Sequence, residues 1–563
     1  MRYIFVICFL AYFQPNFAKA SVNMRNGSYS ESWVDFVEPG EGIELKIERH
    51  YNSRSLFSGI FGFGWCSKLE TFIEITSDGI LNLTECGGGL EITYYPDNFD
   101  LKSVNHTIDA VIESMKKKKK LTTNDIANLT AQLTSNTKMR FEYANQLHLV
   151  DVNKIKNGSN TFYAKSRGLE KIAFDGQLYE RKKFDGTIER YNKSGQLVQL
   201  LNSTGAWIKL QYKGRSLLYL VDNKGRRLNF SYSTNGKLAK ISNGQGYSAD
   251  YAFAGDNLVK VTNLWKKDYA YNYDLAHNLT SVKFPDKSSI SMTYDNNNDW
   301  VKSYTNRKNC RENFDFIMSN RDPKNHYWSK VEKTCDQKTV ATGKHEFWYQ
   351  TYNFSQDKYL HRVQETANKD FKDIYFHPFL GRPVSLRENN VYMGFAYFLN
   401  GLLNKKEFKK YAEKAKIVDW SKATYKYEKK QNQLVQVDSK ILDPNGKIQS
   451  TYSNFFDYNK NGLLIKVRTS KSESVTIQYD SSGRIASLRN HKNTVIALEY
   501  SPGINKPTKI RQSGVGEVEI QYDGGGEITS IESNPKRKIA SSVISSFLEI
   551  IEVLGPVGEI LKL

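Results

Sequence analysis

The sequence predicts a mainly β protein: an array of stacked β-hairpin repeats forming an elongated or coiled sheet, with a small helical insertion and a C-terminal helix. Three observations predict it. Tyr (35) and Phe (30) are heavily used while Pro (12) is scarce among 563 residues, a bias toward pleated surfaces on which flat rings pack. An aromatic residue, mostly Tyr, recurs at steps of 19 to 22 residues, followed by a turn with Gly or Asn and then Leu or Ile. Between these marks the chain alternates: in Arg226–Tyr232, Leu228, Phe230 and Tyr232 are separated by polar residues, so one face is buried.

Taken in order, residues 1–20 read as a secretory signal. Arg2 is a short basic start, Tyr3 to Phe17 is largely apolar, and Ala18-Lys19-Ala20 is a small-x-small cleavage pattern before Ser21. The run is shorter than the ~20 residues a membrane span needs, and no later stretch approaches one. The mature chain is expected to be exported, to the periplasm, cell surface or beyond, without an integral membrane segment. Losing Arg2 and Lys19 lowers the formal charge from +20 to +18. Export and the lack of a nucleic-acid module exclude nucleic acid as a partner. The surplus fits either a solvated surface or attraction to anionic envelope polymers.

The mature chain keeps Cys66, Cys86, Cys310 and Cys335. Four cysteines allow three connectivities; proximity favours Cys66 with Cys86 and Cys310 with Cys335 in an oxidising compartment. No cysteine or histidine spacing suits zinc, and no cofactor is expected.

Residues 21–105 form an opening β domain. Ile43, Leu45, Ile47, Arg49 and Tyr51 alternate with charged residues, a half-buried strand, and Gly59, Gly62 and Gly64 mark a tight turn before Trp65. Residues 106–135 are a Lys-rich helical insertion: Ile108, Val111, Ile112 and Met115 fall at helical spacing, as do Ile126, Leu129 and Leu133, and Thr122 with Asp125 opens the second of two helices. Lys116 to Lys120 suit a solvated helix end. Residues 136–315 and 421–530 carry the two repeat arrays, and 316–420 reads as degenerate. In 531–563, Ile539, Val543, Phe547 and Leu554 trace an amphipathic helix that caps the array or docks a protein partner.

The repeat marks are Tyr191, Tyr212, Tyr232, Tyr251, Tyr273, Tyr294 and Phe314, then Tyr458, Tyr479, Tyr500 and Tyr522, with Tyr375 and Tyr397 as degenerate copies between them. Gly and Leu or Ile follow in register: Gly195 and Leu197, Gly255 and Leu258, Gly462 and Leu463, Gly483 and Ile485. A unit has room for two strands and two turns, a hairpin that cannot bury its apolar face alone, so copies must stack. These Tyr-Asp, Gly, Leu units resemble the YD repeats of Rhs-type proteins, bacterial relatives of teneurin repeats and of toxin-complex shell subunits. The opening block, with Tyr51, Asn52, Arg54, Gly62, Gly64 and Trp65, resembles the domain that heads many of them. The resemblance implies a coiled shell, an Asp-Pro-x-Gly-Leu-like autocleavage segment and a C-terminal toxin. Here Asp443-Pro444-Asn445-Gly446 is followed by Lys447 inside the repeats and reads as a turn, so a short, toxin-free member of the group is expected.

No HExxH, GxSxG, Walker loop or dinucleotide fingerprint occurs, so no catalytic residue is assigned. The function expected is an exported, non-enzymatic recognition module that contacts envelope or extracellular polysaccharide. A structural shell component of a secreted assembly is the alternative, and a polysaccharide-cleaving enzyme is the third reading.

Overall fold

The computed structural model describes residues 21–38, 43–85, 90–97, 99–118, 121–149, 160–164, 170–183, 186–295, 297–352, 358–412, 415–428, 432–501, 506–522, 528–534, 542–543 and 545–547. The segment read as a signal, Cys86 and most of the tail helix lie outside the described residues.

One continuous antiparallel sheet of 36 strands runs from Phe72–Ile75 to Ile528–Asn534, each strand pairing with its neighbours in the chain. It does not close end to end: among the described residues Ile528–Asn534 pairs with Gly516–Tyr522 alone. The first strand instead curls back on the eighth. Phe72 bridges Gln196, and the Ile73 N–H donates to the Gly195 carbonyl at 2.9 Å. Arg181 ties this curl from within, paired with Glu85, Glu170 and Glu189. A separate four-stranded sheet comprises Ser21–Val22, Tyr29–Glu38, Leu45–Asn52 and Trp65–Ser67.

The insertion holds three helices where the apolar spacing predicts two: α1 (Leu101–Lys118), α2 (Thr123–Ser135) and α3 (Thr137–Gln146). Thr122 and Asp125 form a reciprocal capping box at the start of α2. Helix α3 escapes a reading by periodicity because its apolar residues do not collect on one side, although Asn136 caps it by accepting from the Met139 N–H. The strands on either side of the insertion still pair, Phe162 with Pro96, so the helices leave the sheet unbroken.

Each YD unit is a hairpin whose sequence marks have separate physical duties. The residue after the tyrosine closes the turn: Asp274 Oδ1 accepts from the N–H groups of Ala276 and Asn278 at 2.9 and 2.8 Å, and Asp480 does the same for Ser482 and Arg484, both at 2.9 Å. The pairing register slips by one residue at Tyr232, Tyr273, Tyr294, Tyr458 and Tyr479, a bulge that re-aims the ring. The hydroxyl then donates to a carbonyl 15 residues earlier: Tyr232 to Leu217, Tyr273 to Leu258, Tyr294 to Leu279, Tyr479 to Leu464, Tyr500 to Ile485 and Tyr522 to Pro507, at 2.7–2.9 Å. The acceptor stands five to seven residues past the preceding repeat tyrosine, six for Leu279, Leu464 and Ile485. The fixed fifteen and the five to seven set a step of about 21 residues.

Three marks shift. The slip in the fourth unit falls at Phe253, not Tyr251, which evens the steps around it to 21 and 20 residues. In the middle of the chain Phe376 takes the slip, not Tyr375. After Tyr458 the buried residue is Leu464, not Leu463. The stretch read as degenerate is regular in structure: its strands are longer, up to 14 residues in Lys338–Thr351. Longer strands stretch the sequence pattern while leaving the geometry intact. Tyr458 still bonds the Leu434 carbonyl, now 24 residues back, because the intervening strands are 9 and 11 residues long.

One face of the sheet is apolar throughout. Following register partners, the row runs Ile241–Ala249, Val261–Tyr269, Val282–Ile290 and Met292–Tyr304. It continues through Phe347–Val363–Ile374–Leu386–Met393–Phe408 and ends in Val467–Val475, Leu488–Ile496 and Ile510–Val518. Two separate cores form on it. The first unites array one with the N-terminal sheet, and the second is built by array two with Val543 of the tail inserted and Phe547 against it.

Candidate functional site

The opening motif builds a joint between the N-terminal sheet and array one. Its centre is Arg49, fully buried, whose Nε donates to Asp35 Oδ2 and whose Nη2 donates to the Tyr271 hydroxyl, both at 2.6 Å. The guanidinium lies 4.3 Å from the Trp65 ring centroid and 5.1 Å from that of Tyr271. These partners offset a charge that burial alone would penalise, with Nη1 buried and without a hydrogen bond among the described residues, and Asp35 and Tyr271 keep the guanidinium charged against that burial. Tyr251, displaced from the ladder, donates to Asp35 Oδ2 at 3.1 Å. Its failure to mark a repeat follows from this second duty.

The other motif residues complete the joint. Trp65 Nε1 donates to the Tyr273 hydroxyl at 2.8 Å, and the Tyr51 hydroxyl accepts from the Leu279 N–H at 2.8 Å. Gly62 and Gly64 have positive φ of 90° and 76°; a Cβ would stand 2.5 Å from the Asp256 carbonyl oxygen at the first and 2.8 Å from the Tyr51 ring at the second. Asn52 closes a turn by accepting from the Arg54 N–H, and Arg54 donates to the Asn26 carbonyl, both at 3.0 Å. Further along, the Ser329 hydroxyl and the Tyr327 hydroxyl donate to the carbonyls of Met24 and Arg25 at 2.7 and 2.6 Å.

Two carboxyls in the N-terminal unit are titration-sensitive. Burial raises Glu31 to about 7 even though the Tyr29 hydroxyl donates to it at 2.6 Å. Burial likewise raises Glu70 to about 7 against the N–H groups of Ile60 and Ser67. Burial is the largest cause at both. Among the described residues no group of three His, Cys, Asp or Glu side chains could hold a metal ion.

Cys310 and Cys335 are joined at S–S 2.01 Å, stapling the strands Arg311–Met318 and His326–Cys335 at one end. Cys66 is disulfide-bonded, and Cys86 lies outside the described residues. No described helix is long and apolar enough to cross a membrane.

The feature that sequence reasoning missed is on the opposite face of the long strands. Register places His326, Trp348, Arg362 and Tyr375 side by side on four adjacent strands, and Arg387, Tyr392, Lys409 and Trp420 on the next four. The signal was legible only as an excess of Trp and Lys in 326–422, without the register that aligns them.

Comparison with known proteins agrees with the repeat reading. Residues 19–91 match the family described as "Domain of unknown function (DUF6531)", a domain found in YD/Rhs-type proteins. Ahead of a ladder of hairpin units, that domain is consistent with an Rhs/YD-repeat protein. No curated protein matches the chain. Solved structures similar to it include the TcdB2-TccC3-Cdc42 complex, at 10% identity and TM-score 0.36 over 90% of this chain and 31% of that one. The Photorhabdus luminescens Tc holotoxin pore is similar at 10% identity and TM-score 0.37, over 90% of this chain and 29% of that one. A porin-like protein from Bacteroides uniformis gives 10% identity and TM-score 0.17, over 41% and 87%. The chain thus spans about a third of the toxin-complex chains it matches.

Proposed function

We propose that the protein is a non-catalytic wall segment of an exported protein assembly, extended at its last strand by further polypeptide. The observation that carries this is the contrast between equivalent core-face positions. Leu279 and Val282, paired with Tyr273 and Tyr271, are 0% exposed; Ile528 and Ile531, in the same relation to Tyr522 and Ile520, are 55% and 51% exposed. An apolar, half-paired edge is a template for strand addition. The chain covers 31% and 33% of the TcdB2-TccC3 chains it is similar to, and a larger shell assembly suits a chain of that share. Export is proposed from the pattern of residues 1–20, and the domain division at 21–105, 106–135, 136–315, 316–420, 421–530 and 531–563 is proposed with it.

The test is a photoreactive residue at Glu532, in the full chain within the cells that make it. A crosslink to another polypeptide that disappears in the Ile528→Lys, Ile531→Lys variant is expected. Recovery of the chain uncrosslinked, or a crosslink indifferent to that variant, overturns the reading.

A further inference from the structure

We infer that the outward face of the long strands, around Trp348, Arg362, Tyr392, Lys409 and Trp420, binds an acidic polysaccharide along its length. The band crosses eight adjacent strands, from His326–Cys335 to Ile417–Tyr427, roughly 34 Å at the usual strand spacing. It lies on the side of the sheet away from both cores, and its side chains are partly buried: Arg362 is 27% and Lys409 22% exposed.

Its chemistry is an alternation of rings and cations. His326 stacks on Trp348 at 4.9 Å, with the planes 11° apart. Arg362 lies 4.8 Å from the Trp348 centroid and 5.2 Å from that of Tyr375; Lys409 and Lys422 flank Trp420 at 4.6 and 5.0 Å, and Lys344 lies 5.1 Å from Trp328. Carboxylates hold the arrangement: Asp373 pairs with Arg362 at 2.7 Å, and Glu407 takes Lys409, Lys422 and the Trp420 Nε1–H. The pairs immobilise long side chains beforehand, which lowers the ordering cost of binding.

Charge decides the ligand class. Within the band Lys344, Arg362, Arg387, Lys409 and Lys422 face Glu346, Asp373 and Glu407, five cations against three carboxylates. Lys330 and Lys440, exposed on the same face by register, are matched there by Glu332 and Asp438 and leave the surplus unchanged. The ring faces are already taken by His326, Arg362, Lys409 and Lys422 and so hold the cations in place, and cations fixed in this way suit carboxylate or sulfate substituents. A repeating anion along a chain matches cations repeated strand by strand.

The test measures binding of the full chain to polygalacturonate, heparin and neutral dextran by calorimetry. Binding of polygalacturonate or heparin, but not dextran, is expected to persist in part from about 0.15 to 0.5 M salt because the half-buried cations are screened less than exposed ones. The Trp348→Ala, Trp420→Ala variant is expected to weaken it at least about ten-fold, as loss of aromatic anchors does, while Trp348→Phe, Trp420→Phe retains most of it. Arg468→Gln, on array two, serves as the charge control and leaves affinity unchanged. Equal binding of dextran overturns the acidic class. Equal affinity of the Ala variant, loss of all binding at high salt, or no binding overturns the site.

Discussion

Array one, within 188–305, and the long-stranded stretch, within 311–442, belong to one sheet and share one apolar row, yet they are stabilised differently. In array one strands of 4 to 7 residues lay that row against a second sheet, and Leu228, Ile241, Val261, Leu279 and Val282 reach 0% exposure. In the long strands no part of the N-terminal sheet follows beyond Ser329 among the described contacts; Phe347, Val363, Leu386 and Met393 lie in neither core, and the outward face carries the ring and ion-pair band. A repeat protein can therefore keep its fold, and a buried apolar row, while adding ring and ion-pair contacts on the other face.

The largest break expected is at the joint. Arg49→Met leaves Asp35 buried without its cation, at a cost of about 3–5 kcal/mol. Hydrogen exchange should show protection lost in 217–305 and kept in 464–522. Equal loss in both would mean that the sheet responds as one body, and the comparison would fail. The double change Arg49→Met, Asp35→Leu should recover part of the loss.

Cavity formation sharpens the contrast. Leu279→Ala, in the covered row, should cost about 3 kcal/mol, within the range for buried leucines. Leu386→Ala, buried but outside both cores, should cost about half as much because its surroundings can relax into the gap. Denaturant unfolding of the two variants measures the difference.

Proton linkage differs in sign between the two regions: the carboxyls of Glu31 and Glu70, in the unit packed on array one, are raised, whereas Glu346, Glu407 and Asp438 of the long strands are lowered by their cations and hydrogen bonds. Glu31 and Glu70 have native values raised to about 7, so the native state binds protons more tightly than the unfolded chain. Their contribution is fully present below about pH 4.5 and is lost as pH rises through about 7, a change on the order of 3 kcal/mol for each group. Exchange corrected for its intrinsic pH dependence should show 217–305 less protected at pH about 8 than at about 5.5, and the Glu31→Gln, Glu70→Gln variant should flatten that response. A protection profile rising with pH would reverse the sign and refute the assignment.

The smallest effects lie in the ladder. Tyr479→Phe removes one hydroxyl-to-carbonyl bond and should cost about 1 kcal/mol. Tyr273→Phe should cost more, because it also leaves the Trp65 N–H without its acceptor. Equal costs in thermal unfolding would show that the joint adds nothing at that rung.

Much of this architecture was legible without coordinates, for a reason that particular residues display. Asp274, Asp480 and Asp443 close turns with N–H groups two and four residues on, and Thr122 caps a helix three residues ahead. Interactions of that span leave their mark in composition and spacing. The misread positions are those with partners far away: Tyr251 matches the Tyr motif but serves Asp35, 216 residues distant, and the stretch 316–420 lost its period because its strands grew longer.

The sequence by itself determined the hairpin unit, its turns and its 21-residue step, because each rests on contacts within a few residues or between neighbouring strands. Only the tertiary structure decided that the opening motif is a buried joint and that Trp348, Arg362, Tyr392 and Trp420 form one band. Those arrangements depend on register accumulated across many strands and on contacts over 200 residues apart. A one-residue slip anywhere between would turn the side chains to the other face, and no local pattern records the sum of such steps.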